Sequence, residues 1–110
     1  MEPYRFPIAP ADAVKKAVEY SGLRLDDMDA FEFNEAFALV GVTVPKLLQI
    51  DPKRVNLYGG AIALGHPLGC SGARIICTLL NVLETEKLKV GAVGICNGGG
   101  GASAMVIRKL

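Results

Sequence analysis

Gly59-Gly60-Ala61-Ile62-Ala63-Leu64-Gly65-His66-Pro67-Leu68-Gly69-Cys70-Ser71-Gly72-Ala73-Arg74 is the stretch around which the chain is organised. It holds the single histidine of the 110 residues, placed before a proline and among five glycines. Proline restricts the backbone of the residue before it, so the His66 ring is aimed rather than free. Taken alone, such a stretch equally suits a glycine-rich turn around a packed histidine. Two further stretches change that balance: Asn34-Glu35-Ala36-Phe37-Ala38 and Cys96-Asn97-Gly98-Gly99-Gly100-Gly101. Each follows a predicted strand.

Downstream of the histidine stretch, Ile75, Ile76, Leu79, Leu80 and Leu83 recur at helical spacing and predict a helix from Ser71 to about Thr85 with a broad buried face, on whose apolar side Cys77 also falls. Upstream, Val55–Tyr58 reads as a strand after the turn at Asp51-Pro52. Residues 1–9 form an irregular lead-in. Pro10 opens a helix over Ala11–Ser21, with Val14, Ala17 and Val18 on one face and Gly22 as the stop. In the short strand Ala30–Asn34, Phe31 and Phe33 alternate with Glu32. A second helix runs from Glu35 toward Gln49, kinked at Pro45, which takes the hydrogen bond to Gly41 away. Val90–Cys96 and Ala102–Arg108 are the last strands, and the glycine turn between them makes an antiparallel hairpin. The order α-β-α-β-α-β-β predicts a layered α/β domain whose mixed, mostly parallel sheet has one antiparallel strand. All three special stretches follow carboxyl ends of strands, the edge where open α/β sheets place ligands.

The bulk composition sets limits. The length suits one domain. Half the residues are apolar (51%), and a mean hydropathy of +0.35 points to a face covered by another domain or subunit. The longest apolar run, Ala36–Val44, falls far short of the roughly 18 residues of a membrane helix. A net charge of +1 with mixed signs indicates neither a nucleic-acid nor a membrane surface. Three cysteines, an odd number, suit free thiols in a reducing compartment, and with one histidine they lack metal-site spacing.

The three stretches, in this order, resemble the C-terminal domain of thiolases over essentially the whole chain. Phe6-Pro7-Ile8-Ala9-Pro10 and the ending Gly98–Leu110 look most like the mitochondrial, acetoacetyl-CoA-using branch of that family, acetyl-CoA C-acetyltransferases. The resemblance implies a three-layer α/β/α domain over residues 1–110, lacking its own first strand. It also implies a preceding N-terminal domain, absent here, that carries the cysteine to be acylated. The implied reaction is Claisen condensation of two acetyl-CoA molecules, or thiolysis of acetoacetyl-CoA in reverse.

Carried over by residue, His66 would deprotonate that cysteine and later hydrogen-bond the thioester oxygen. Cys96 would be the acid/base group. Asn34, through a water, would share one oxyanion hole with His66, and Gly98 would give its N–H to a second. Gly98 and Gly99 would lie against substrate. Asn34 also suits a cap on the helix starting at Glu35, and Glu35 a helix-start charge. Ser71, Gly72 and Arg74 are expected at the helix start and in packing, with Arg74 alternatively pairing an acid near the site. Cys70 and Cys77 are expected to be structural. No tightly bound cofactor is implied beyond CoA thioesters and a potassium ion held partly by the Ile62 carbonyl. The partners implied are an N-terminal thiolase domain or a full subunit in a homo-oligomer, without nucleic acid or membrane, located in the mitochondrion or alternatively the cytoplasm.

Tyr58, where the family has Asn, and Pro45 depart from the pattern and also suit a degenerate copy. Rival readings are a non-catalytic short form that pairs with a thiolase subunit, and a fragment of a longer-chain 3-ketoacyl-CoA thiolase. Asn34 in place of His in its motif leans away from the latter. Ketoacyl synthases, which use two histidines, are disfavoured by the one present. On this reading the isolated chain is inactive, because it lacks the nucleophile.

Overall fold

The computed structural model describes residues 2–110. A 3-10 stretch over Pro3–Ile8 replaces the expected irregular lead-in and runs directly into α1 (Ala9–Ser21), where Gly22 caps the helix at φ 77°. Strand β1 covers Ala30–Phe33 and is followed by α2 (Ala38–Leu48), the short α3 (Ala61–Leu64) and α4 (Ser71–Thr85). The chain closes with β2 (Val90–Asn97) and β3 (Gly101–Arg108).

The sheet has the order β1-β2-β3. Strands β1 and β2 pair in parallel from Ala30↔Gly91 to Phe33↔Gly94, while β2 and β3 form the expected antiparallel hairpin, Val90↔Arg108 to Asn97↔Gly101. Helices cover both faces. Val14 and Val18 of α1 and Val40, Val44 and Leu48 of α2 pack on Phe31, Phe33 and Ala92. On the opposite face, Ile75, Leu79, Val82 and Leu83 of α4 pack on Ala30 and Val93. This is the expected three-layer α/β/α arrangement with a mixed sheet.

Three local expectations are corrected. Val55–Tyr58 makes only a single parallel bridge, Phe31↔Val55, because Asn56 turns into the left-handed region at φ 49° and ends the pairing. The second helix starts at Ala38 with Phe37 in the capping position, so Asn34 does not cap it and Glu35 lies before it. Pro45, the position of the expected kink, lies buried inside this helix, which runs as far as Leu48. Cys77 is exposed, and so is Leu80. The buried stripe of α4 is Ser71, Ile75, Leu79 and Val82/Leu83, and a residue two positions from both Ile75 and Leu79 points the other way.

Strand β2 is hemmed in on both sides. A Cβ on Gly91 would lie 2.7 Å from Leu79 Cδ1 and 2.9 Å from the Ala30 carbonyl oxygen. Small residues here let β1 and α4 close together, which brings the first turn of α4 to the carboxyl end of β1.

Candidate active site

Asn34 stands one residue beyond β1. Its N–H donates to Gly94 O at 3.0 Å, which continues the parallel ladder. On the strand's other side Asn56 substitutes for a neighbouring strand: its Oδ1 accepts from Phe33 N–H at 2.9 Å and its Nδ2 donates to Phe33 O at 3.0 Å. The backbone leading into Asn34 is therefore held from both sides, independently of α2 and Pro45. Tyr58 points elsewhere, donating its O–H to Glu86 at 2.5 Å. The histidine loop is tied down by Glu35, whose carboxylate accepts from Ile62 N–H at 3.3 Å. Gly60 leaves room for that carboxylate: a Cβ here would lie 2.2 Å from the same oxygen.

His66 follows Gly65, whose φ of 100° is a conformation that favours glycine. The His66 Nδ1 contacts the Oγ of Ser71, the fully buried first residue of α4. Ser71 Oγ in turn donates to Pro67 O at 3.1 Å. With its proton given to that carbonyl, the hydroxyl can only accept from the ring. The imidazole proton therefore belongs on Nδ1, leaving Nε2 with a lone pair, the tautomer a general base needs. Asn34 Nδ2 lies 3.3 Å from Nδ1 and 3.4 Å from Nε2, so the amide sits across that side of the ring rather than in line with either lone pair. Arg74 Nη2 donates to Asn34 Oδ1 at 3.4 Å, and its Nη1 stands 4.0 Å from Glu32 Oε1.

Cys96 comes from the other face of the sheet. It shares strand parity with Val90, Ala92 and Gly94, whereas Asn34 shares parity with Ala30 and Glu32 on the α4 side. The two faces meet at the strand ends in an open cleft of about 410 Å³, lined by Phe6, Phe37, His66, Leu68, Cys96 and Gly98, among others. Phe6 and Phe37 meet edge to face at 5.8 Å and form one wall. The Cys96 thiol is half-buried, and burial pushes it above its ordinary 9.0, a backbone hydrogen bond opposing more weakly. At neutral pH it carries its proton.

Of the residues singled out from the sequence, His66, Cys96 and Gly98 line one cleft, and Asn34 lies directly behind His66, fully buried. Gly99 is not among the lining residues; it sits exposed in the hairpin turn with φ 91°. Ile62 lines a separate cleft with Glu35, Gly60 and Ala63. All three cysteines are free thiols. The sequence reading missed the roles of Ser71, Asn56 and Glu32. Glu32 is 1% exposed, and burial pushes its carboxyl from 4.5 up to about 7, with Arg74 pulling it down and Glu35 adding to the rise. Arg74 does pair with this acid, as the alternative expectation had it.

A sequence model described as "Thiolase, C-terminal domain" matches residues 1–109. Acetyl-CoA acetyltransferases share high identity with almost the whole chain. A cytosolic one from Gibberella zeae is 58% identical over 109 residues, covering 99% of this chain and 28% of the relative. One from Saccharomyces cerevisiae is 54% identical over 110 residues, again 99% and 28%. Among solved structures, the Acat5 thiolase of Ascaris suum in complex with coenzyme A aligns at TM-score 0.90 and 51% identity, covering all of this chain and 28% of that one. The acetyl-CoA acetyltransferase of Bacillus anthracis aligns at TM-score 0.96 and 40% identity with the same coverage. The chain thus spans about 28% of the length of these relatives. It belongs to the thiolase family and corresponds to the family's C-terminal domain.

Proposed function

We propose that this chain supplies the acid/base half of an acetyl-CoA acetyltransferase site, completed by an N-terminal domain that bears the nucleophilic cysteine. The observation that carries this reading is the convergence of the loop residue His66, backed by Asn34, and the strand residue Cys96 on one cleft at the strand ends. In thiolysis, His66 takes the proton of the partner cysteine at Nε2, and the thiolate attacks the ketone carbonyl of acetoacetyl-CoA. The carbon–carbon bond breaks, and Cys96 gives its proton to the departing acetyl-CoA carbanion. CoA then cleaves the acyl-enzyme, its thiol proton returning to Cys96 while the released cysteine thiolate takes its own proton back from His66. Condensation runs these steps backward, with Cys96 as thiolate removing the methyl proton of the second acetyl-CoA. The raised thiol suits both roles: it is protonated at rest and a strong base once ionised.

On this reading the Gly98 N–H would serve one oxyanion, and Asn34 would hold a water for the other. Gly99 completes the substrate-binding turn. A potassium ion at the Ile62 carbonyl also belongs to this reading: the Glu35 carboxylate in the same cleft supplies the hard oxygen such a cation prefers. When bound, it would steady the loop that carries His66. The cytosolic relative favours the cytoplasmic location over the mitochondrial one.

The test is a chimera in which this chain replaces the matching 28% of the Saccharomyces cerevisiae relative. The chimera should cleave acetoacetyl-CoA with CoA, and the isolated chain should not. A folded but inactive chimera, or turnover by the isolated chain, would overturn the proposal. A second reading, a short form that docks on a thiolase subunit without catalysis, draws support from the exposed Phe37, Leu39, Val42 and Leu68. Stable co-purification with an intact subunit, without added activity, would favour it.

A further inference from the structure

Two side chains cross between the segment that carries Asn34 and the loop that carries His66, and they cross in opposite directions. The loop backbone runs beside β1 only as far as the Phe31↔Val55 bridge and the Asn56 N–H, which donates to Phe31 O at 2.9 Å. There the chain turns away, closed by Gly59 N–H on Asn56 O at 3.0 Å. The Asn56 amide then takes the place of one more peptide, meeting both the N–H and the C=O of Phe33. Phe33 is the residue before Asn34. From the residue after it, Glu35 reaches back and accepts from Ile62 N–H at 3.3 Å, shortly ahead of His66 in the chain.

The crossing point is built from small residues. A Cβ on Gly60 would lie 2.2 Å from Glu35 Oε1 and 3.0 Å from Asn56 Nδ2, so both side chains occupy the space that a larger residue would fill. On its other side the carboxylate faces Gly41, where a Cβ would lie 3.2 Å from Oε2. A glycine inside a helix such as α2 costs about 1 kcal/mol relative to alanine, and here it leaves room for the carboxylate.

We infer that Glu35 and Asn56 are positioning residues: crossing over Gly60, they hold the residues on either side of Asn34 in one register with the loop that presents His66. Neither lines the cleft that His66 and Cys96 share, so each acts through its neighbours. The catalytic value of that register rests on the reading of His66 as the base; the register itself does not.

Turnover is read in the chimera and the ring in the isolated chain. In Glu35→Ala and Asn56→Ala, kcat for thiolysis well below the melting temperature should fall about 10- to 100-fold with KM within about twofold, because a misplaced catalytic group slows the chemical step rather than binding. Glu35→Gln keeps an oxygen for Ile62 N–H and should restore kcat. The double alanine variant should lose no more than the worse single one, since the two side chains hold a single register. Gly60→Ala suits a backbone at φ −134°, and its methyl should displace the carboxylate and reproduce Glu35→Ala. Full kcat in either folded alanine variant overturns the inference, and so does a Glu35→Gln as slow as Glu35→Ala, which would make the charge matter rather than the bond. In the isolated chain the ring proton signals of His66, the only histidine, need no assignment. They should shift in Glu35→Ala, Asn56→Ala and Gly60→Ala, and return in Glu35→Gln. Should the chimera prove inactive, unmoved signals still overturn the register and moved signals sustain it. Loss of cooperative melting in all three variants would make the crossing merely structural and overturn the inference as well.

Discussion

Replacing Glu32 by glutamine should stabilise the chain at alkaline pH and do little at acid pH. Burial lifts this carboxyl from 4.5 to about 7. Between those values the folded chain holds a proton that the unfolded chain has released. Stability therefore falls as pH rises through the window, and the deficit is complete above pH 7. At about 1.4 kcal/mol per pH unit, the ionised side chain costs about 3 kcal/mol. Glutamine has nearly the same shape and no charge to desolvate. At roughly 4 °C per kcal/mol for a domain of this size, Glu32→Gln should melt about 12 °C higher than wild type at pH 8. The two should converge near pH 4. The assay is thermal unfolding by circular dichroism across that range, read as the difference between the chains so that other titrating groups cancel. Parallel curves from pH 4 to 8, with no growing gap, would refute the reasoning.

Three further outcomes follow from the packing and from the thiol. Gly91→Ala pushes a methyl against the Ala30 carbonyl and Leu79, and should lose about 1–3 kcal/mol by urea unfolding. Leu79→Ala empties a fully buried position between α4 and the sheet, and the same assay should show a loss of about 2–5 kcal/mol. Under iodoacetamide, peptide mass spectrometry should find the exposed Cys70 and Cys77 alkylated before the half-buried Cys96. Labelling of Cys96 should accelerate only above its ordinary 9.0, because the thiolate is the reactive form.

The elements with strong periodicity were legible in the sequence: α1, α4 and the closing hairpin lie within two residues of where the pattern puts them. Val55–Tyr58 alternates like a strand, but the left-handed turn at Asn56 follows from its side chain reaching both backbone groups of Phe33, a contact 23 residues distant in sequence. The start of α2 was misplaced because Glu35 is a good helix opener locally, yet its carboxylate is engaged by the Ile62 N–H. Alternation with Phe31 and Phe33 put Glu32 on the other face of β1. Alternation cannot say whether that face meets water or a helix, and here α4 covers it. The same limit hid Ser71, whose hydroxyl reads as a helix start until the fold brings His66 against it. His66, Cys96 and Asn34 were found from the stretches around them. Their grouping could be anticipated because all three follow strand ends.

The central claim is that His66 and Cys96 work as an acid/base pair at the cleft, and its most direct measurement is kcat/KM for acetoacetyl-CoA thiolysis by the chimera. His66→Ala and Cys96→Ala are the variants to compare. General acid–base groups are worth about 10²–10⁴-fold, so each variant should lose at least about 100-fold while keeping the chimera's melting temperature. Retention of most of the activity in either folded variant would contradict the account.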